Sequence, residues 1–476
     1  MVQLPFAAYL AGFWPGVMTT GSLSQWSRAV GRVPWTDVPP PLSTVGLWVA
    51  AEVGSPAVAT VGQSFFLAWA VVSFLLGVSA LGAPAGKTLL AGAAVALAPS
   101  VGLFSVTLGP HVPFTAAVLM LGGCVLRMMA VRLGLMGDDA PGARVLALRG
   151  LFARAAAWAT LAAFLGHHGA LLGAAVLAAV ALALPDLRKR AAAAALLLPI
   201  VVILVRAVVL PGLGVSSAPA SVRFAAAVQE VGAFAKHAPS RITEEDWNVL
   251  RSYAPPGAWA STYDCTSTRS MLDSGLFKPG AVDRFPEPLL EVRRRLMTRE
   301  PSVSAAHRLC AGEAAWHPFG RSGGKPVATG RGIERNTFDL KSAPLHEGLG
   351  VALNEAVDLT ELRGLQPFFH RAPIWISIAF LVLLQAAWRS RRPLWLLAAA
   401  PLLAQQGMVV FAGAGRDPHA MAAAGIAAVL LLPLFGGSVG PDPLPEAESP
   451  TRRPWRPGEP RTQPTVPASP SSGARP

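Results

Sequence analysis

The chain of 476 residues is 52% hydrophobic and 14% charged, with a mean hydropathy of +0.45, where a soluble domain carries about a quarter charged residues. That balance excludes a soluble enzyme. The 40 Lys and Arg exceed the 27 Asp and Glu by 13, an excess that in a membrane protein is read by side of the bilayer and not as a nucleic-acid footprint.

A run of about 17 to 25 apolar residues crosses a bilayer. Ten runs meet that criterion: 4–20, 59–82, 88–107, 112–131, 150–166, 168–184, 191–211, 372–388, 394–412 and 418–436. The first has neither a basic leader nor a small-residue cleavage site, so it reads as an anchor. The fifth and sixth are short and joined by almost no loop, so they form either a bent pair or re-entrant helices. Lys87, the group Arg127, Arg132, Arg144, Arg149 and Arg154, the run Arg188-Lys189-Arg190, and Arg389, Arg391 and Arg392 fall on one side if the spans alternate. By the positive-inside rule that side is the cytoplasm. The expected protein is multi-pass in a bacterial inner membrane, with both termini cytoplasmic and 21–58, 212–371 and the turns at 109–111, 167–168 and 415–419 outside.

Residues 212–371 are as long as a domain and hold most of the acids. Readable helices are 221–238, 243–253 (opened by Thr243 with Asp246 three residues on), 287–299 and 302–316, separated by turns such as Ala254-Pro255-Pro256-Gly257 and Arg321-Ser322-Gly323-Gly324. The expected fold class is therefore an all-α polytopic membrane protein with a mostly helical α+β extracytoplasmic domain. Three cysteines are too few for a disulfide scaffold and have no zinc spacing. Cys265 and Cys310 either pair or stay free with equal weight, and Cys124 packs inside a span. From about 437 the chain is dominated by Pro, Ser, Arg and Glu, the composition of a disordered cytoplasmic tail.

Polar side chains gather at the outer span ends: Asp37, Glu52, His111, His167, His168, Arg416, Asp417 and His419. Ionisable groups at membrane depth are costly and face cavities; a hydrated turn residue is the equal alternative for any one of them. Two other signals fail. Gly82 to Thr88 is one residue short of a phosphate-binding loop and runs straight into a span. Arg293-Arg294-Arg295 fits a solvated helix face, or a contact to anionic lipid or glycan, and nucleic acid is not an expected partner.

Phe13-Trp14-Pro15-Gly16, then Gly21-Ser22-Leu23-Ser24-Gln25-Trp26, then Trp35-Thr36-Asp37-Val38-Pro39 resemble the first outer loop of bacterial multi-span glycosyltransferases of the GT-C superfamily, in a poorly characterised branch. There an aromatic-Pro-Gly precedes Asp-Ser-x-x-Gln-Trp and Asp-x-His-Pro. In the same order, Gly109-Pro110-His111-Val112-Pro113-Phe114 is similar to a Lys-Asp-x-Pro-Phe turn, Gly166-His167-His168-Gly169-Ala170-Leu171 to an Arg-His-Asn-Gly-Leu turn, and Arg416-Asp417-Pro418-His419 to an Asp-x-Arg-Tyr turn. Glu244-Glu245-Asp246-Trp247, with Trp259 and Tyr263 beyond it, continues the similarity through the outer domain, so it covers most of 10–436.

The resemblance implies transfer of a sugar from a polyprenyl-phosphate donor to a cell-envelope glycan or lipid outside the membrane. A first-loop acid would then act as base or help hold a divalent metal. Here Gly21 replaces that acid, Pro39 replaces the histidine of the second motif, and Pro110-His111 replaces Lys-Asp. Asp37 keeps the one matching carboxylate.

The expected catalytic residues are Asp37 and His168. Ser22, Gln25, Trp26, His111, His167, Arg416, Asp417 and His419 are expected to bind substrate, with Arg416 as a phosphate clamp. Cofactor identity, a divalent metal included, stays open. So does enzymatic status. A catalytically inactive relative that binds lipid-linked sugar or organises envelope assembly, and a polysaccharide ligase or polymerase, are the alternatives.

Overall fold

The structure is a computed structural model that describes residues 2–136, 141–267, 269–319, 330–412 and 418–436. The tail from 437 and the turn at 321–324 lie outside the described residues. The first half of the chain comprises α1 (Gln3–Gly12), α2 (Thr20–Ala29), α3 (Pro41–Glu52), α4 (Ala57–Ala80), α5 (Ala85–Leu97), α6 (Pro99–Val106), α7 (His111–Arg132), α8 (Pro141–Leu165), α9 (Gly169–Ala183) and α10 (Arg188–Leu204). A single π-helical turn, Val205–Val209, extends α10.

Among the described residues, six helices are long and apolar enough to cross a membrane, or seven with the bent pair α5–α6 counted as one span. The protein is therefore a helical membrane protein, but the expected ten spans are not all present. The run 88–107 breaks at Pro99 with a 61° bend, because proline lacks the N–H of a continuous helix and turns the preceding residue extended. Residues 168–184 and 418–436 form shorter apolar helices.

The expected span 4–20 is only the ten-residue α1. Beyond Phe13 the Trp14-Pro15-Gly16 motif turns the chain extended, and Gly16 sits at φ 131°, a conformation open to glycine. Its apolar residues are then buried by pairing instead of by lipid: Val17 bridges Thr107, Met18 bridges Ile333, and both side chains are wholly buried.

Beyond α10 lie α11 (Ala225–His237), α12 (Glu244–Leu250), α13 (Pro286–Arg299), α14 (Pro301–Ala311) and α15 (Glu347–Glu361). The capping box at α12 is present, with Thr243 and Asp246 bonded reciprocally. Phe234, Leu250, Tyr253, Trp259, Leu289 and Leu296 are central to a core of their own. No strand occurs among the described residues, which hold only three isolated bridges, made by Val17, Met18 and Thr36, so the α+β expectation for this region is corrected to helical. Cys265 and Cys310 form a disulfide, while Cys124 is free and buried in the bundle.

Residues 330–361 fold back onto the amino-terminal segment. The Met18 N–H donates to Gly332 O at 3.1 Å and the Glu334 N–H to Met18 O at 3.0 Å, while Ala343 and Leu345 donate to Trp14 and Ala11. The last spans are α16 (Pro373–Ser390) and α17 (Ala400–Ala412), followed by α18 (Ala422–Leu431).

Candidate functional site

The segment that carries α2 and α3 is held from within. Ser22 donates to Leu108 O at 2.6 Å and closes the capping box of α2 with Thr19. Gln25 donates to Ser43 Oγ at 2.9 Å, tying α2 to α3. Ser22, Gln25 and Trp26 are all buried, Trp26 in a small core with Met18, Leu23, Leu47 and Leu108. The structure therefore places these three in the framework of the loop, with their polar groups turned inward.

Asp37 is half-buried where this loop meets the end of the α10 span. Its Oδ1 accepts from the Ala218 N–H at 2.6 Å, and its own N–H donates to Ser216 O at 3.0 Å. The Ser216 N–H donates in turn to Trp35 O. Oδ2 makes no hydrogen bond among the described residues.

The turn between α8 and α9 carries His167 and His168. Both rings are exposed at the turn yet crowded by protein on one side. Partial loss of solvent, then the positive charge of Arg206, lowers His167 to about 4 and moves His168 in the same direction. Asp37 opposes this on His167, while His168 and His111 add to it. That Asp37, His111, His168 and Arg206 all act on one ring puts them in one electrostatic neighbourhood. The His111 ring lies 5.9 Å from that of His419, which in turn lies 5.2 Å from Phe104. Arg416 and Asp417 lie outside the described residues.

Arg206 was not among the residues expected from sequence. It sits in the π-helical turn near the carboxyl-terminal end of an otherwise apolar span, and such turns are frequent at functional sites. The available signal was a single guanidinium inside a hydrophobic run, which carries a cost in lipid unless it faces a cavity. It does face one: a groove of about 600 Å³ walled by Trp35, Leu42, Trp48, Phe164, Leu210 and Leu213, with Arg206 in its lining. A second apolar cavity, of about 320 Å³, lies between α5–α6, residues 368–375 and α18, and has His370, Arg371 and His419 in its wall. Among the described residues no group of three or more His, Cys, Asp or Glu is placed to hold a metal ion.

No protein-family model and no curated protein matches the chain. Among solved structures it is similar to ArnT from Cupriavidus metallidurans in the apo state, at 14% identity over 90% of this chain and 75% of that one, with a TM-score of 0.30. It is similar also to the same protein bound to undecaprenyl phosphate, at 15% identity over 90% and 76%, again with a TM-score of 0.30. Likeness at that level says nothing about mechanism or substrate.

Proposed function

We propose that the chain is a glycosyltransferase of GT-C type in a bacterial inner membrane, moving a sugar from a polyprenyl-phosphate donor to a cell-envelope glycan or lipid. The observation that supports this best is the groove at Arg206, where an apolar wall meets one guanidinium, with both Arg206 and Asp37 acting on the His167 ring. The polyprenyl tail would lie along Leu42, Trp48, Leu210 and Leu213. Arg206 would hold the phosphate, since a planar guanidinium matches phosphate oxygens. The His419 cavity suits the apolar part of the acceptor.

In this reading the acceptor hydroxyl attacks the anomeric carbon, its proton passes to Asp37 Oδ2, and the carbon–oxygen bond to phosphate breaks with the electron pair leaving on the polyprenyl phosphate. Arg206 offsets the charge that develops there. His167 and His168 stay neutral at pH 7, which makes them hydrogen-bond partners for sugar hydroxyls and weak bases. Ser22, Gln25 and Trp26 would act through the loop that carries Asp37. Among the described residues Asp37 stands without a cluster of metal-ligating side chains, a donor set that does not fit a divalent ion.

A second reading, an inactive relative that binds lipid-linked sugar, is favoured by Gly21 in place of the family's acid and by the engagement of Asp37 Oδ1 with Ala218. Proteoliposomes loaded with a labelled polyprenyl-phosphate sugar separate the two. Transfer by the wild type, lost on Asp37→Asn and on Arg206→Gln, supports the enzyme. Donor binding without transfer by either the wild type or the variants supports the relative.

A further inference from the structure

A buried acid lies where the helical region beyond α10 meets the spans. After α14, Gly312 lets the chain run close against α17, since a Cβ there would meet Val410 Cα at 2.6 Å. The single helical turn Glu313–Trp316 follows and packs on α17 and on residues 418–421. Two neighbouring amides of α17 bind these segments. Gln406 Nε2 donates to Ala315 O at 2.8 Å, and Gln405 Nε2 donates to Ala420 O at 2.7 Å. Glu313 is only 5% exposed and Gln405 1%.

Glu313 Oε2 and Gln405 Oε1 have no hydrogen-bond partner among the described residues. A buried carboxylate is costly unless it is paired, and α17 belongs to the candidate span Pro393–Phe411, where an ionisable group points to function. The Gln405 amide is held one way round: Ala420 O can only accept, so Nε2 faces it and Oε1 turns away. Both open atoms are acceptors, so neither satisfies the other, and what complements them is a cation or a donor. The guanidinium at this junction is engaged elsewhere, with Arg371 Nη1 donating to His317 O at 3.5 Å. Glu313 and Gln405 line neither the His419 cavity nor the Arg206 groove, so a bare ion suits their setting better than an organic amine. One carboxylate supplies one charge, whereas a divalent ion takes several oxygen ligands with more than one acid among them, and no cluster of three metal-ligating side chains occurs among the described residues.

We infer that Glu313 and Gln405 bind an alkali metal cation at this junction, the carboxylate supplying the charge and the amide oxygen a second ligand. The ion clamps the Glu313–Trp316 turn onto α17. Cys310, three residues before Glu313, is joined to Cys265, so the clamp ties that stapled region to the spans. Asp37 and Arg206 take no part, and the inference does not rest on the transfer reading.

The test is thermal unfolding of the full chain in detergent at constant ionic strength, with sodium, potassium or N-methylglucamine chloride as the salt. Sodium or potassium is expected to raise the melting temperature saturably above that in N-methylglucamine, by about 2–5 °C at about tenfold excess over its dissociation constant. Glu313→Gln should lose that rise and, in N-methylglucamine, melt at or above the wild type, because a buried charge without a partner is gone. Gln405→Met removes the second oxygen ligand and keeps the carboxylate, so half-saturation should need about tenfold more salt. This variant reads the site even if Glu313→Gln does not fold. Glu355→Gln, which removes an exposed acid on α15, should respond as the wild type does. Equal melting of the wild type in all three salts would leave Glu313 neutralised by Arg371, His317 or a proton, and would overturn the site. So would a rise retained in Glu313→Gln, an unchanged half-saturation in Gln405→Met, a rise lost in Glu355→Gln, or calcium chloride acting at lower concentration than sodium.

Discussion

Asp37 and Ala218 are joined by a 2.6 Å hydrogen bond from the Ala218 backbone N–H to the Asp37 carboxylate, which fastens the segment between α2 and α3 to the chain just beyond the longest apolar span. The same side chain thus has two separable jobs, one for each oxygen. Asp37→Asn keeps an acceptor for the Ala218 N–H and removes the base, so the variant should fold with a melting temperature near wild type and lose transfer by about 10²- to 10⁴-fold. Asp37→Ala should also lose about 1–2 kcal/mol of stability, because a charge-assisted bond is removed. Thermal unfolding in detergent beside the vesicle assay distinguishes them; an Asp37→Asn protein that transfers at the wild-type rate removes the carboxylate from the chemistry.

Arg206 is expected to matter to both phosphate and histidine. Arg206→Gln should raise the half-saturating donor concentration at least tenfold through loss of a charged phosphate contact. It should also move the His167 titration upward, toward the ordinary imidazole range. The sign comes from the environment: a positive neighbour disfavours protonation, so its removal favours the imidazolium at higher pH. Histidine modification by diethyl pyrocarbonate, followed against pH, reads that midpoint. A midpoint unchanged by Arg206→Gln contradicts the shared electrostatic neighbourhood.

The helical region beyond α10 should be most sensitive at Asp246. Burial alone would raise its carboxyl, but hydrogen bonds from Arg295, Thr243 and Arg299 outweigh burial and hold it below the usual carboxylate range. Arg295 Nη2 is 2.7 Å and Arg299 Nη1 2.5 Å from its oxygens. Asp246→Asn removes the buried anion shared by two guanidinium groups that are about a third exposed, of which Arg295 keeps Glu291 at 3.6 Å, and should cost about 1–3 kcal/mol. The carboxylate's contribution is present above its unfolded value, near 3.9, and is lost as pH falls through the lower folded value. Acid unfolding of the wild type should therefore steepen below about pH 4, and that step should be absent in Asp246→Asn. A step retained in the variant assigns it to another carboxylate.

Much of the membrane part was legible because hydropathy depends on residue type alone. The runs 59–82 and 112–131 appear as α4 and α7 with ends shifted by at most two residues. What hydropathy misses is whether an apolar residue is hidden by lipid or by protein. Val17 and Met18 are as apolar as any span residue, but the Pro15-Gly16 turn sends them into pairing with Thr107 and Ile333. The Asp37–Ala218 contact joins residues 181 positions apart, and no local pattern encodes it. Arg206 was legible in principle, as the one charge within the run 191–211. Ser22 and Gln25 show the reverse problem: polar residues in an outer loop that use their donors to build it.

Gly21 offers the sharpest separation of the two functional readings. It is exposed in the first turn of α2, and a Cβ built there meets nothing closer than Thr19 Oγ1 at 3.6 Å, an ordinary contact. Gly21→Asp is therefore sterically free. Its negative charge at a helix start is favourable by a few tenths of a kcal/mol, and losing a helical glycine adds about the same. The variant should melt at or slightly above wild type. With Asp37 as the base already in place, its transfer rate should change by less than about threefold. A gain of tenfold or more on restoring the first-loop acid would mean that the chain had lost its base at position 21, and that Asp37 serves only to hold Ala218.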